Sequence, residues 1–240
     1  MVLDLRMRRI LVCMGDDSSR HSSSIEDYMR AIYGLVERGE PVTNASLAGR
    51  LEVSPSSASG MVTKLAQQGL VEHVPYRGID LTSDGMQLAR SVLRRHRLIE
   101  TYLVSELGYT WDEVHEEADR LEHVLSDRLV ERIAGKLGNP VRDPHGDPIP
   151  GADGSIEEEP TRLLDELPAG AVGQIARVWD TDPELLRFLA ERSITIGDRV
   201  EVLERQPFGG PVVVKIGPPA EAATHALGTT IAQALSVTVH

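Results

Sequence analysis

His96 and Glu100 stand four residues apart, so on a helix they share one face. His115, Asp119, Glu122 and His123 follow at intervals of four, three and one, which makes a single stripe with a slight spread. Six imidazole and carboxylate groups on two consecutive helices are able to converge on a divalent cation. Glu113, Glu116, Glu117 and Asp119 are also what a solvated acidic face shows. Histidine recurring on the carboxylate-bearing face separates this stretch from a plain charge run. His115-Glu116 opens the zincin pattern, which needs a second His four residues after the first; Asp119 stands there, so a protease is excluded. No nucleophile elbow, P-loop or dinucleotide fingerprint occurs either. His145, between Asp143 and Asp147, is a possible ligand, but Pro144, Gly146 and Pro148 make a turn the simpler reading. His21, His73 and His225 are isolated and read as structural or surface groups.

The elements that must hold these residues are legible from spacing. Ser23 with Glu26 reads as a capping box. Ile25, Met29, Ile32, Tyr33 and Val36 behind it have helical spacing, and Gly39 and Pro41 end the run. Thr43 caps a short helix carrying Leu47, Ala48 and Leu51. Ser54-Pro55 is an N-cap followed by proline at the first helical position, ahead of Met61, Val62 and Leu65, with Gly69 as the stop. Leu70–Val74 and Ile79–Thr82 are β-prone, with Tyr76-Arg77-Gly78 as the turn between them. Helix, helix, short turn, helix, hairpin over residues 23–83 is a winged helix-turn-helix. Thr82 then caps a long helix through Leu107, Thr110 starts another, and Ser126 begins a third ending before Gly138. Helices so few enclose little core alone, and their apolar stripes predict pairing with a second copy.

Asp143–Gly154, rich in Pro and Gly, marks the end of this helical unit, residues 84–152. Glu157–Glu159 beside Pro160 reads as a solvated linker over 153–160. Ala171–Val178, Arg199–Leu203, Pro211–Ile216 and Leu235–Val239 are β-prone runs, interrupted by one helix near Pro183–Glu191. They predict a small barrel-like domain over 161–240. The expected fold is therefore mainly α with a small β domain. Residues 1–22, including Cys13, have no periodicity and read as a flexible tail.

Composition agrees. One Cys makes no internal disulfide, and no run of about 18 apolar residues is present, which points to a cytoplasmic protein without a membrane span. The net charge of −12 comes almost wholly from residues 101–240, with 12 basic and 25 acidic groups. An acidic whole therefore does not exclude nucleic-acid binding by the first hundred residues. The second helix of the helix-turn-helix carries Ser54, Ser56, Ser57, Ser59, Gly60, Thr63 and Lys64, small groups with one cation. Hydroxyls contact phosphates and some base edges but make no bidentate Arg–guanine pair, so shape readout and thymine methyl contacts must share the specificity. Arg77 at the hairpin tip is a further phosphate or minor-groove contact. Arg90, Arg94, Arg95 and Arg97 read equally well as solvated surface or as DNA contacts.

Ser24–Leu35, Thr43–Gly69, Arg95-His96-Arg97-Leu98-Ile99-Glu100 and Val114–Ser126 resemble the diphtheria toxin repressor family. Its members are metal-dependent transcriptional regulators with a winged helix, a dimerisation domain and often a C-terminal SH3-like domain. The resemblance runs from about residue 23 to 240 and implies two metal sites. His96, Glu100 and His115 match the ancillary site; Asp27, Asp119, Glu122 and His123 match the primary, regulatory one. Iron-sensing members carry Met at Asp27 and Cys at Asp119. Hard carboxylates there favour Mn²⁺, with Fe²⁺ the alternative. The short manganese regulators have Glu at the positions of Arg30 and Asp119, so this chain departs from them. Asp180 matches a Glu ligand of the C-terminal domain, whereas Pro183 occupies the position of a Gln ligand.

The resemblance thus implies a homodimeric repressor of metal-uptake genes on a palindromic operator, one ion joining Asp27 of the DNA-reading unit to the dimerisation unit. A metallohydrolase using the same cluster, or an adaptor whose β domain recruits a peptide, are the competing classes.

Overall fold

In this computed structural model residues 21–74, 78–157, 159–179 and 182–239 are described. Arg77, Asp180 and the tail through residue 20, with Cys13, lie outside them. The chain divides into two compact units, Met1–Ala89 and Arg90–His240.

In the first unit, α1 (Ser23–Glu37), α2 (Asn44–Arg50) and α3 (Pro55–Gln67) precede a hairpin of β1 (Val71–Val74) and β2 (Gly78–Leu81). Met29, Ile32, Leu47 and Leu65 are fully buried and form its core. The α2 start is a reciprocal capping box between Thr43 and Ser46. Ser54 caps α3 by accepting from the Ser57 N–H at 3.1 Å. The capping box expected at Ser23 and Glu26 is absent: Ser22 is the N-cap, without a side-chain bond, and Glu26 is buried instead of reaching back. Thr82 starts α4 (Ser83–Leu107), accepting from the Gly85 N–H at 3.0 Å. Gly85 lies so close to the Leu70 carbonyl that a Cβ would collide with it, which fixes α4 against the hairpin base.

The second unit takes over within α4 and adds α5 (Val114–Glu122) and α6 (Asp127–Lys136). The opening of α5 differs from expectation. Thr110 begins a turn rather than the helix, and its hydroxyl donates to Glu113 at 2.8 Å. Ile99 and Leu103 of α4 pack on Val114 and Ala118 of α5, and Leu98 packs on Val130 and Ala134 of α6.

A six-stranded antiparallel sheet follows, ordered β3-β8-β4-β5-β6-β7. Its strands are β3 (Arg162–Leu163), β4 (Val172–Val178), β5 (Arg199–Arg205), β6 (Val212–Ile216), β7 (Ala223–Leu227) and β8 (Leu235–Val239). Helix α7 (Pro183–Glu191) lies between β4 and β5, and α8 (Thr229–Ala234) precedes β8. Ile175, Val200, Val214 and Val237 of the strands meet Leu186 and Leu189 of α7 in one core. This is the expected SH3-like domain. No helix among the described residues is long and apolar enough to cross a membrane.

Candidate metal centre

The α4–α5 pair brings the sequence-derived ligands of both helices together. Glu100 Oε1 accepts from His96 Nε2 at 3.0 Å and from His115 Nδ1 at 3.0 Å, and the two histidine nitrogens are 3.1 Å apart. The other ring nitrogen of His96 faces Glu122 Oε2 at 2.8 Å and Asp119 Oδ1 at 3.3 Å. His123 Nε2 is 3.5 Å from Glu122 Oε1. Glu100 and Glu122 are essentially without solvent contact, so their charges must be matched within the protein. His96, His115 and Asp119 offer ligand atoms within 4.8 Å of one another. Asp119 therefore lies with the His96 and His115 pair as well as beside the Glu122-His123 turn. Asp27 is on α1 of the other unit, half-buried.

A second group joins Glu100 to the His145 segment, for which the sequence favours a turn over a ligand. Glu100, Asp143 and His145 are all buried, and they too present ligand atoms within 4.8 Å of one another. Burial alone would push the Glu100 carboxyl up, but His96 and His115 hold it well below the usual carboxylate range. Asp143 goes the other way. Burial, then the charges of Asp147 and Glu100, push its carboxyl well above that range, and Arg97 opposes this only in part. Mutually repelling buried carboxylates beside a histidine are a donor set that a hard divalent cation would neutralise. The residues fit such an ion.

The turn expected around His145 is present, and His145 is fully buried within it. His145 Nε2 donates to the Trp111 carbonyl at 2.8 Å, and its ring stacks on the Trp111 indole at 6.2 Å between centroids. That bond assigns the proton to Nε2, so Nδ1 of the neutral ring carries the lone pair a cation needs. The signal in the sequence was a histidine bracketed by two aspartates.

The arginines of α4, expected as solvated surface or DNA contacts, are engaged by the protein itself. Arg90 Nη1 donates to the Gly154 carbonyl at 3.1 Å, Arg94 Nη1 to Pro150 at 2.9 Å and Arg97 Nη1 to Pro148 at 2.6 Å. Spaced at +4 and +3, they form one face of α4 and strap the turn-rich segment to it. Arg95 pairs with Asp127 at 3.1 Å.

In the first unit, Ser54 at the N-cap and Ser56, Ser57, Ser59, Gly60, Thr63 and Lys64 on α3 are all exposed. Some of their hydroxyls already have work. Ser54 Oγ lies 2.9 Å from those of Ser56 and Ser57, within the cap, and Thr63 donates to the Ser59 carbonyl at 3.0 Å.

Comparison with known proteins gives each segment a counterpart. Residues 21–79 match the iron dependent repressor N-terminal DNA binding domain, and residues 82–151 its metal binding and dimerisation domain. Residues 162–239 match the FeoA domain. The iron-dependent repressor IdeR of Mycobacterium leprae is 35% identical over 201 residues, spanning 79% of this chain and 87% of the relative. The diphtheria toxin repressor of Corynebacterium diphtheriae is 35% identical over 190 residues, 75% of this chain and 84% of the relative. Among solved structures, a manganese-dependent transcriptional repressor in complex with manganese is 46% identical, with a TM-score of 0.85 over 90% of this chain and 100% of its own. The manganese regulator SloR is 34% identical, with a TM-score of 0.75 over 90% and 98%. With the winged helix, the ligand-bearing helices and the SH3-like domain all matched in order, the chain belongs to the diphtheria toxin repressor family of metal-dependent, DNA-binding transcriptional repressors, which are not enzymes.

Proposed function

We propose that this chain is a manganese-activated, cytoplasmic repressor of metal-uptake genes, acting as a homodimer on a palindromic operator. The observation that carries the choice of metal is the donor set. Among the described residues, the groups able to hold an ion offer only nitrogen and carboxylate oxygen, with no sulfur. Such ligands suit Mn²⁺, whereas soft sulfur favours later or thiophilic metals. The 46% identity to a manganese-dependent repressor supports the same choice. The second reading, Fe²⁺, is favoured by the relatives named iron-dependent at 35–37% identity.

The residues divide into roles. Glu122, His123, Asp119 and, by resemblance, Asp27 would hold the regulatory ion. His96 and His115 with Glu100, and Glu100 with Asp143 and His145, would hold the ancillary charge, to which Asp180 is a further candidate ligand. A bound ion supplies positive charge where carboxylates otherwise repel. Ser56, Ser57, Ser59, Gly60, Thr63 and Lys64 would face the major groove, with Ser54 shaping the helix start and Arg77 on the backbone or minor groove. The functional boundaries follow as 23–83 for DNA reading, 84–152 for metal and dimerisation, and 161–240 for the SH3-like domain.

The test is DNA binding by the metal-free protein, titrated anaerobically with Mn²⁺, Fe²⁺ and Zn²⁺ against its own upstream region. Activation at lower free Mn²⁺ than free Fe²⁺ is expected, and the double variant Asp27→Met, Asp119→Cys should shift the preference toward Fe²⁺. Activation of the parent by Fe²⁺ first would keep the mechanism and overturn the metal.

A further inference from the structure

We infer that the SH3-like domain organises the Glu100–Asp143–His145 group through contacts that are not ligands, with Arg177 of β4 as the positioning residue. This rests on reading that group as a metal centre. The segment 143–147 is held from two sides. Arg97 of α4 faces Asp143 Oδ2 and Asp147 Oδ2, each at 3.6 Å. From the other side, β4 grips the same five residues. The Val178 N–H donates to the His145 carbonyl at 2.8 Å, and the Arg177 guanidinium pairs with Asp147 Oδ1. A bulge between Ile175 and Arg177 leaves Ala176 out of the β4–β8 ladder, and its carbonyl meets Gly146. Gly146 has φ +86°, and a Cβ there would collide with that carbonyl, so glycine is what permits the approach. Arg177 is itself aimed by lying 3.7 Å over the Trp179 ring.

Asp147 transmits the grip directly. Its carbonyl accepts from the Asp143 N–H at 3.0 Å, and its own N–H donates to Asp143 Oδ1 at 2.9 Å, as does that of His145. Moving Asp147 therefore shifts both the carboxylate and the main chain of Asp143, whose Oδ1 also accepts from the His145 N–H. Charge and position make opposite predictions here. Removing Arg177 leaves the centre more negative, so charge alone would tighten a cation; loss of position weakens it.

Full-length Arg177→Met, which keeps the packing on Trp179, is titrated with Mn²⁺ by electron paramagnetic resonance and equilibrium dialysis, alongside His145→Ala. His145→Ala should lose one ion per chain. Arg177→Met should weaken that same ion about 10- to 100-fold, the scale of supporting-residue losses at metal sites, with Arg177→Lys recovering part of it. Thermal unfolding confirms folding, and Arg177→Gln replaces Arg177→Met should the latter not fold. Parent-like or tighter Mn²⁺ binding by either folded variant overturns the positioning role. Undiminished binding by His145→Ala instead overturns the metal centre itself.

Discussion

Asp143 shows how a single carboxyl can hold affinity in reserve at the expense of stability. Burial and the charges of Asp147 and Glu100 raise its proton affinity well above that of an exposed aspartate. The folded, metal-free protein therefore binds more protons here than the unfolded chain. Stability must then fall as pH rises from the ordinary carboxylate range through the raised value. Asparagine mimics the protonated acid and keeps the Oδ1 acceptor used by the His145 and Asp147 N–H groups. Asp143→Asn should raise the melting temperature of the metal-free protein at neutral pH and flatten this part of its pH dependence. It should also forfeit part of the stabilisation that Mn²⁺ confers on the parent. Calorimetry with and without Mn²⁺ checks this, and a variant melting lower in both states would refute the account. At this scale the sequence was half legible. Spacing placed His96, Glu100, His115, Asp119, Glu122 and His123 on facing helices. Spacing could not reveal that Asp143 and His145 fold back onto Glu100, because that contact spans more than forty residues of chain.

Among the elements, α3 contains the least explained residue. Gly60 sits inside the helix, exposed, and a Cβ on it would meet nothing within 4 Å. Glycine in a helix interior costs about 0.5–1 kcal/mol relative to alanine, and no close packing within the protein requires it. Its face, shared with Ser56, Thr63 and Lys64, is the one proposed above to enter the major groove. Gly60→Ala should thus stabilise the fold by about 0.5–1 kcal/mol while weakening operator binding by about 1–3 kcal/mol, the scale of one mismatched base pair. Chemical denaturation and fluorescence anisotropy measure the two effects. A more stable variant with unchanged DNA affinity would leave Gly60 without a role in the groove. Elements with strong end signals, such as α3 with Ser54-Pro55 and α6 behind Ser126, were readable from sequence. β7 was not: Ala-Thr-His-Ala-Leu has little β propensity and becomes a strand by pairing with β6 along its whole length. The roles of Arg90, Arg94 and Arg97 were hidden for a related reason. Their partners are backbone carbonyls of a distant segment, which no local pattern records.

For the whole molecule, the acidic charge is concentrated beyond residue 100, whereas residues 23–83 carry five basic and seven acidic groups. The DNA-reading unit therefore meets phosphate without net charge in its favour, and affinity must depend on how the two copies of α3 are presented. That is the condition under which a regulatory ion has leverage. If Asp27 joins Asp119, Glu122 and His123 on that ion, metal and DNA each favour the same arrangement. Their mutual enhancement must then be equal in both directions. The expected outcome is that Mn²⁺ binds more tightly in the presence of operator, by the factor through which Mn²⁺ tightens the operator, in the range of about 5- to 150-fold. Calorimetric Mn²⁺ titrations with operator and with scrambled duplex provide the measurement. In Asp27→Ala the protein should remain a folded dimer, and the two titrations should coincide. An operator effect that survives intact in that variant would mean that the coupling runs through other residues, with Asp27 serving only α1.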